Sequence, residues 1–260
     1  MCNFFSFVTK GSKKYYFDWE LRKKLMLSNP ENLNPDSHTS TCHHFGLDED
    51  KVNKYEYNFL TGEFIVDQVN IKDDRALAKR WVEKLDPKTI IEPLIVKPII
   101  NPFEIPPPKI TNKHIELLKE WILVRNAVGY VVWDAVWDAV WNEVGDMVEY
   151  AVRDVVRYAV RDVVWASVRD VVGDVVRDVV RYEVWDAVWD AVWDAVWDAV
   201  GAYISSFFNI EKWKNIDHRK GKNPFQCCID LWEQGLVPSY DGKIWRLHGG
   251  KNAEILYEYN

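Results

Sequence analysis

Valine recurs at every fourth position from Val124 to Val200, twenty times in succession, and Ile204 extends the series. All eleven prolines lie outside residues 124–204, so the middle of the chain is one uninterrupted object. The repeating unit is W/R-D-A/V-V, purest from Trp185-Asp186-Ala187-Val188 onward. A residue advances an α-helix by about 100°, so positions four apart are offset by about 40° and the stripe circles a straight helix in roughly nine units. Right-handed supercoils follow eleven-residue repeats at about 3.67 residues per turn, and a period of four is too far from that value.

An even period returns each valine to the same face of an extended chain, and valine and tryptophan favour strands. The spacing therefore predicts a β-solenoid of tetrapeptide repeats, about sixteen residues per coil, with coils spaced about 4.8 Å apart. Valine fills the interior, and the aspartate two residues earlier bonds backbone at each corner. The position after each valine holds Trp141, Gly145, Glu149 or Arg153, a set that no packed site accepts, so it is expected to face outward.

The flanks read as small folded domains. Residues 1–123 form an expected α+β N-terminal domain, with hairpins around Lys10-Gly11-Ser12 and Thr61-Gly62. Helices are expected over Asp73–Leu85 and from Thr111 onward, a short one near Thr39 capped by Asp36 or Ser37, and at best an edge strand over Ile90–Ile100. Residues 124–204 are the solenoid and 205–260 a C-terminal capping domain, with a helix over Pro224–Gln234 and a hairpin around Tyr240-Asp241-Gly242-Lys243.

Charge bears on function. The chain carries 33 Lys and Arg against 40 Asp and Glu, a net −7 that argues against a broad nucleic-acid footprint. Residues 124–204 hold fifteen acidic residues and seven arginines, which concentrates the negative charge on the repeats. Outward ladders of Trp133, Trp137, Trp141, Trp185, Trp189, Trp193 and Trp197, beside Asp134, Asp138, Asp186, Asp190, Asp194 and Asp198, form the expected binding surface. The leading expectation is a non-enzymatic interaction protein that binds a protein partner or a second copy of itself through these ladders. In its most concrete form it is an acidic nucleic-acid mimic acting against a host nucleic-acid-binding or defence protein, with no direct contact to nucleic acid or membrane.

The rival expectation is a small hydrolase or transferase with a Cys2/His38 site in the N-terminal domain and the repeats as a recognition rod. His38, Cys42, His43 and His44 are a weak zinc candidate, because the adjacent histidines do not readily share one tetrahedral ion with Cys42. Four cysteines are too few for a disulfide framework, and no phosphate loop, dinucleotide fingerprint, HExxH or GxSxG pattern occurs, so no cofactor is expected. No targeting segment and no run of about 18 apolar residues is evident, which predicts a cytoplasmic protein.

The start Met1-Cys2-Asn3 with Asp36-Ser37-His38, the short repeats, and Gly235-Leu236-Val237-Pro238-Ser239 with Trp245-Arg246-Leu247-His248 resemble an uncharacterised family seen in phage and metagenomic sequences. That resemblance spans essentially the whole chain. It implies a phage or mobile-element origin, with action in the host cytoplasm, and a variable repeat number; it brings no activity. The tetrads are loosely similar to pentapeptide-repeat β-helices, though they lack the second inward small residue of that pattern.

Overall fold

The computed structural model describes residues 5–28, 34–128, 132–144 and 197–260, the last span without 212, 214, 215, 217, 220 and 241. The described residues fall into two compact units, one running to Pro98 and including residues 141–144, the other made of residues 99–140 and those from 197 onward.

The first unit is built on an antiparallel sheet of order β2-β1-β3-β4, from β1 (Phe5–Lys10), β2 (Lys13–Tyr15), β3 (Asn53–Tyr57) and β4 (Phe64–Gln68). Both hairpins sit where the glycines place them, since Gly11 and Gly62 adopt φ of 64° and 73°. Alternation sends Phe5, Phe7 and Tyr55 to one face, where Phe7 meets Trp81 of α3 (Arg75–Val82) edge to face. The opposite face receives α2 (His38–His44), whose Cys42 packs with Val8 and Val52. Ser37 caps α2 by accepting the Ser40 N–H.

Two polar devices, one buried and one partly buried, hold this unit together. Arg22, on α1 (Trp19–Ser28), makes a bidentate pair with Asp36 at 2.7 and 3.1 Å and donates Nε to the Phe17 carbonyl; both members are essentially excluded from water. Asp74 Oδ1 accepts from Tyr55 OH at 2.6 Å, from Asn53 Nδ2 at 2.7 Å and from Thr9 Oγ1 at 3.1 Å. Burial, followed by this bond to a carboxylate, raises the Tyr55 phenol well above its ordinary range. Residues 90–100 form no strand beyond an isolated bridge at Leu94, consistent with Pro93 and Pro98.

The second unit packs helices on a smaller antiparallel sheet, order β5-β6-β7, from β5 (Val237–Tyr240), β6 (Trp245–Gly249) and β7 (Glu254–Tyr259). Helix α4 (Asn112–Val128) buries His114, Leu118, Trp121 and Val128, one face at helical spacing. It packs against α7 (Gln226–Glu233), which ends at Gly235 with φ 79°; a Cβ there would lie 2.9 Å from Ile105 Cβ and 3.1 Å from the Pro102 carbonyl oxygen. Tyr203 stacks on Trp232 at 4.9 Å, and the two side chains hold both backbone groups of Ile100: the Tyr203 oxygen accepts the Ile100 N–H and Trp232 Nε1 donates to its carbonyl.

The described ends of the repeat are helical, which overturns the β-solenoid. Helix α5 (Val132–Val144) and helix α6 (197–205) carry tetrads, and both sheets are open and lie outside the repeat. The fold is mixed α+β, with seven helices and two small open sheets among the described residues, not a tandem-repeat β-helix. The drift of the valine stripe around a helix accumulates with length and is small over a few tetrads. From Val132 to Val140 it amounts to about 80°, within the apolar stripe of more than about 100° that a surface helix presents. Val132, Val136 and Val140 are buried together with Ala135 and Ala139, so the residue before each valine widens the stripe, while Asp134 and Asp138 are exposed. The expected role of residues 205–260 as the cap of a coil falls with the coil itself.

Candidate active site

The strand pairing of the second sheet assembles one chemical constellation. β5 and β6 pair in the register Ser239↔Arg246 and Val237↔His248, which makes Ser239 and His248 diagonal neighbours on one face. His248 Nε2 lies 2.7 Å from Ser239 Oγ, and His248 Nδ1 lies 2.9 Å from the Ala253 carbonyl oxygen. A carbonyl only accepts, so Nδ1 carries the hydrogen and donates it; in the neutral ring Nε2 is then the acceptor, and the Ser239 hydroxyl donates to it.

Burial holds the His248 imidazole below the usual histidine range; the Ala253 bond opposes this and the Arg246 charge adds to it. Neutral imidazole is therefore the form present near neutral pH. Its orienting residue is unusual, because Ala253, at φ 46°, is the one non-glycine residue in the left-handed region among those described. A strained position that presents its carbonyl to a histidine facing a serine is the kind of outlier that gathers at functional sites. The strand pairing also shifts register between Leu247 and His248, a local irregularity that re-aims the side chains around it.

The face opens from one edge to the other. Ser239 on the edge strand β5 is 3% exposed, Arg246 and His248 on the middle strand β6 are half-buried, and on β7 Glu258 and Ile255 are exposed. Arg246 donates Nε to Glu258 at 2.9 Å, and Ile255 stands directly opposite His248. A serine hydroxyl donating to a neutral, oriented imidazole is the hydrogen-bond arrangement of a nucleophile with its general base.

Of the residues expected to carry function, those that are described lie away from this pair. Among the ladder residues, Trp185, Trp189, Trp193, Asp186, Asp190 and Asp194 lie outside the described residues, as do the side chains of Trp133, Trp137 and Trp141. Asp134 and Asp138 are exposed on α5 and Trp197 is half-buried on α6. Asp198 is buried, accepting from Val132 N and Arg125 Nε. Among the described residues helices stand in place of a coil and supply no ladder for self-assembly or nucleic-acid mimicry, which corrects the ladder-borne interaction expectation.

The Cys2/His38 alternative is corrected as well. Cys2 lies outside the described residues, and His38 is buried with Nε2 against the Tyr55 carbonyl at 2.9 Å and Nδ1 3.3 Å from Asp67. Both ring nitrogens are thus engaged within the N-terminal sheet. Cys42 is a free buried thiol pushed upward chiefly by burial, the opposite of an activated nucleophile, and His43 and His44 are exposed. Among the described residues no group of His, Cys, Asp and Glu is placed to hold a metal ion, and no helix is long and apolar enough to cross a membrane.

Sequence reasoning missed Ser239 and His248 although it placed the turn between them. The usable signal was the hairpin itself: around Tyr240–Lys243, alternation puts Ser239, Arg246 and His248 on one side once the register is known.

The fold and site define a mixed α+β chain with a Ser–His pair on an open three-stranded sheet. No family model, curated protein or solved structure matches it. The resemblance of the flanks to a phage and metagenomic family finds no matching model, and the likeness of the tetrads to pentapeptide-repeat β-helices is overturned by the helices that the described tetrads form.

Proposed function

We propose that the second unit performs acyl transfer, cleaving an ester or thioester with Ser239 as nucleophile and His248 as general base. The observation that carries this reading is the 2.7 Å approach of Ser239 Oγ to His248 Nε2 while Nδ1 is anchored on the Ala253 carbonyl. The hydroxyl proton passes to Nε2 as Oγ bonds to the substrate carbonyl carbon, whose π pair moves to its oxygen. Collapse of that adduct breaks the bond to the leaving group, which takes the proton from His248. Water then attacks the acyl-serine by the same route and restores the enzyme. The Ala253 carbonyl stands where a carboxylate usually orients the histidine; it fixes the tautomer without supplying a full charge.

A fluorophosphonate probe tests the proposal, because it forms a stable adduct only with an activated serine. Intact protein at pH 8 should acquire the adduct on the peptide containing Ser239. Ser239→Ala should abolish it, and His248→Gln should slow it by about 10²–10⁴, the contribution typical of a general base. A folded protein whose Ser239 takes no adduct overturns the reading.

A further inference from the structure

The strip of sheet that leads to Ser239 has a chemical polarity of its own, and it deepens the acyl-transfer reading on which it rests. We infer that the substrate carries an anionic group, a carboxylate or phosphate, received by Arg246, and an apolar body lying over Ile255. Arg246 is the register partner of Ser239 and stands two residues from His248 on the same face of β6. Alternate residues on a strand are roughly 7 Å apart, so an anion at Arg246 is separated from the reacting carbonyl by a spacer of a few carbons.

The carboxylate that Arg246 meets on the neighbouring strand, Glu258, is exchangeable. Glu258 comes from the outer strand β7 and its side chain is 53% exposed, while that of Arg246 is 19% exposed. An incoming carboxylate meets a guanidinium that is already mostly out of water and displaces a carboxylate that returns to solvent at little cost. Ile255, opposite His248 on β7, is 53% exposed, a large aliphatic side chain beside the base. Cation at the middle strand and apolar surface at the outer one together fit a half-ester of a short dicarboxylic acid better than a neutral ester.

The test uses the full chain with glutarate and butyrate as binding probes, and the 4-nitrophenyl monoester of glutarate against 4-nitrophenyl butyrate as substrates. Glutarate should bind at least about tenfold more tightly than butyrate, roughly what one charge-assisted contact supplies. Arg246→Gln should remove that preference and Arg246→Lys restore part of it. Glu258→Gln, which takes away a competing carboxylate, should tighten glutarate binding. In turnover the preference should appear in KM. Equal glutarate affinity in the native protein and Arg246→Gln overturns the inference, as does unchanged affinity in Glu258→Gln. Glutarate binding through Arg246 in a protein whose Ser239 takes no phosphonate adduct would instead retain the anion site and reject acyl transfer.

Discussion

The Asp198 carboxylate closes the first turn of α5: Oδ1 accepts the Val132 N–H at 2.7 Å while Oδ2 accepts from Arg125 Nε at 2.6 Å. One tetrad aspartate from α6 thus caps the helix formed by another stretch of tetrads and fixes the end of α4 with it. A helix N-terminus favours a carboxylate both for its unpaired N–H groups and for its dipole.

Asp198→Ala removes the cap and leaves Arg125 without its partner, which should cost about 2–4 kcal/mol of stability by urea denaturation. Asp134→Ala, at the chemically identical but exposed position on α5, should stay within about 0.5 kcal/mol. Equal effects from the two substitutions would contradict the distinct roles of these aspartates.

The Arg22–Asp36 pair tests the first unit in the same way. Arg22→Met strands the Asp36 carboxylate in an interior position, and a loss of about 3–5 kcal/mol is expected. The double variant Arg22→Met/Asp36→Leu should recover much of that loss, because two apolar side chains demand no solvation. Equilibrium denaturation of the native protein, Arg22→Met, Asp36→Leu and the double variant gives the coupling directly.

Asn53 ties a loop to the sheet: its Oδ1 accepts the N–H groups of Asn70 and Ile71, and its Nδ2 donates to the Lys72 carbonyl and to Asp74. Asn53→Ala should therefore cost about 2–4 kcal/mol, whereas Tyr55→Phe, which removes a single donor from Asp74, should cost about 1 kcal/mol. Hydrogen exchange at residues 70–72 should accelerate in the first variant and remain slow in the second.

His248 predicts a pH dependence with a definite sign. Burial lowers its folded-state pKa below the unfolded value of about 6.5, so the unfolded chain binds the proton more readily. Its contribution to stability is complete above about pH 6.5 and is lost as pH falls through the folded-state value. The urea midpoint should drop between pH 7.5 and pH 5 by more in the native protein than in His248→Gln. An identical drop in both would show that the imidazole is not held neutral by its surroundings.

Local chemistry made several elements legible. Turn glycines located the β1–β2 and β3–β4 hairpins, Ser37 was among the expected caps of α2, helical spacing found α3 and α4, and α7 lies within the helix expected over Pro224–Gln234. Each of these depends on interactions a few residues apart. The third strand of the second sheet, β7, escaped because Glu254–Tyr259 mixes charged and apolar residues, and its place depends on pairing with β6. The repeat misled for a related reason. A period of four states how side chains recur, but whether that recurrence builds a coil or a helix depends on how long the element runs before its phase is reset.

What the amino-acid order determines here is whatever neighbouring residues settle among themselves: turns, caps, the apolar stripes of helices and the alternation of strands. Tertiary structure alone decided that Asp198 faces inward while Asp134 and Asp138 face water, although all three occupy the same place in the repeat. It also decided that Ser239 meets His248, through a register that no local pattern specifies. The physical reason is the same in both cases: burial and cross-strand pairing are properties of what lies against a residue, and a repeated sequence puts different neighbours against identical side chains.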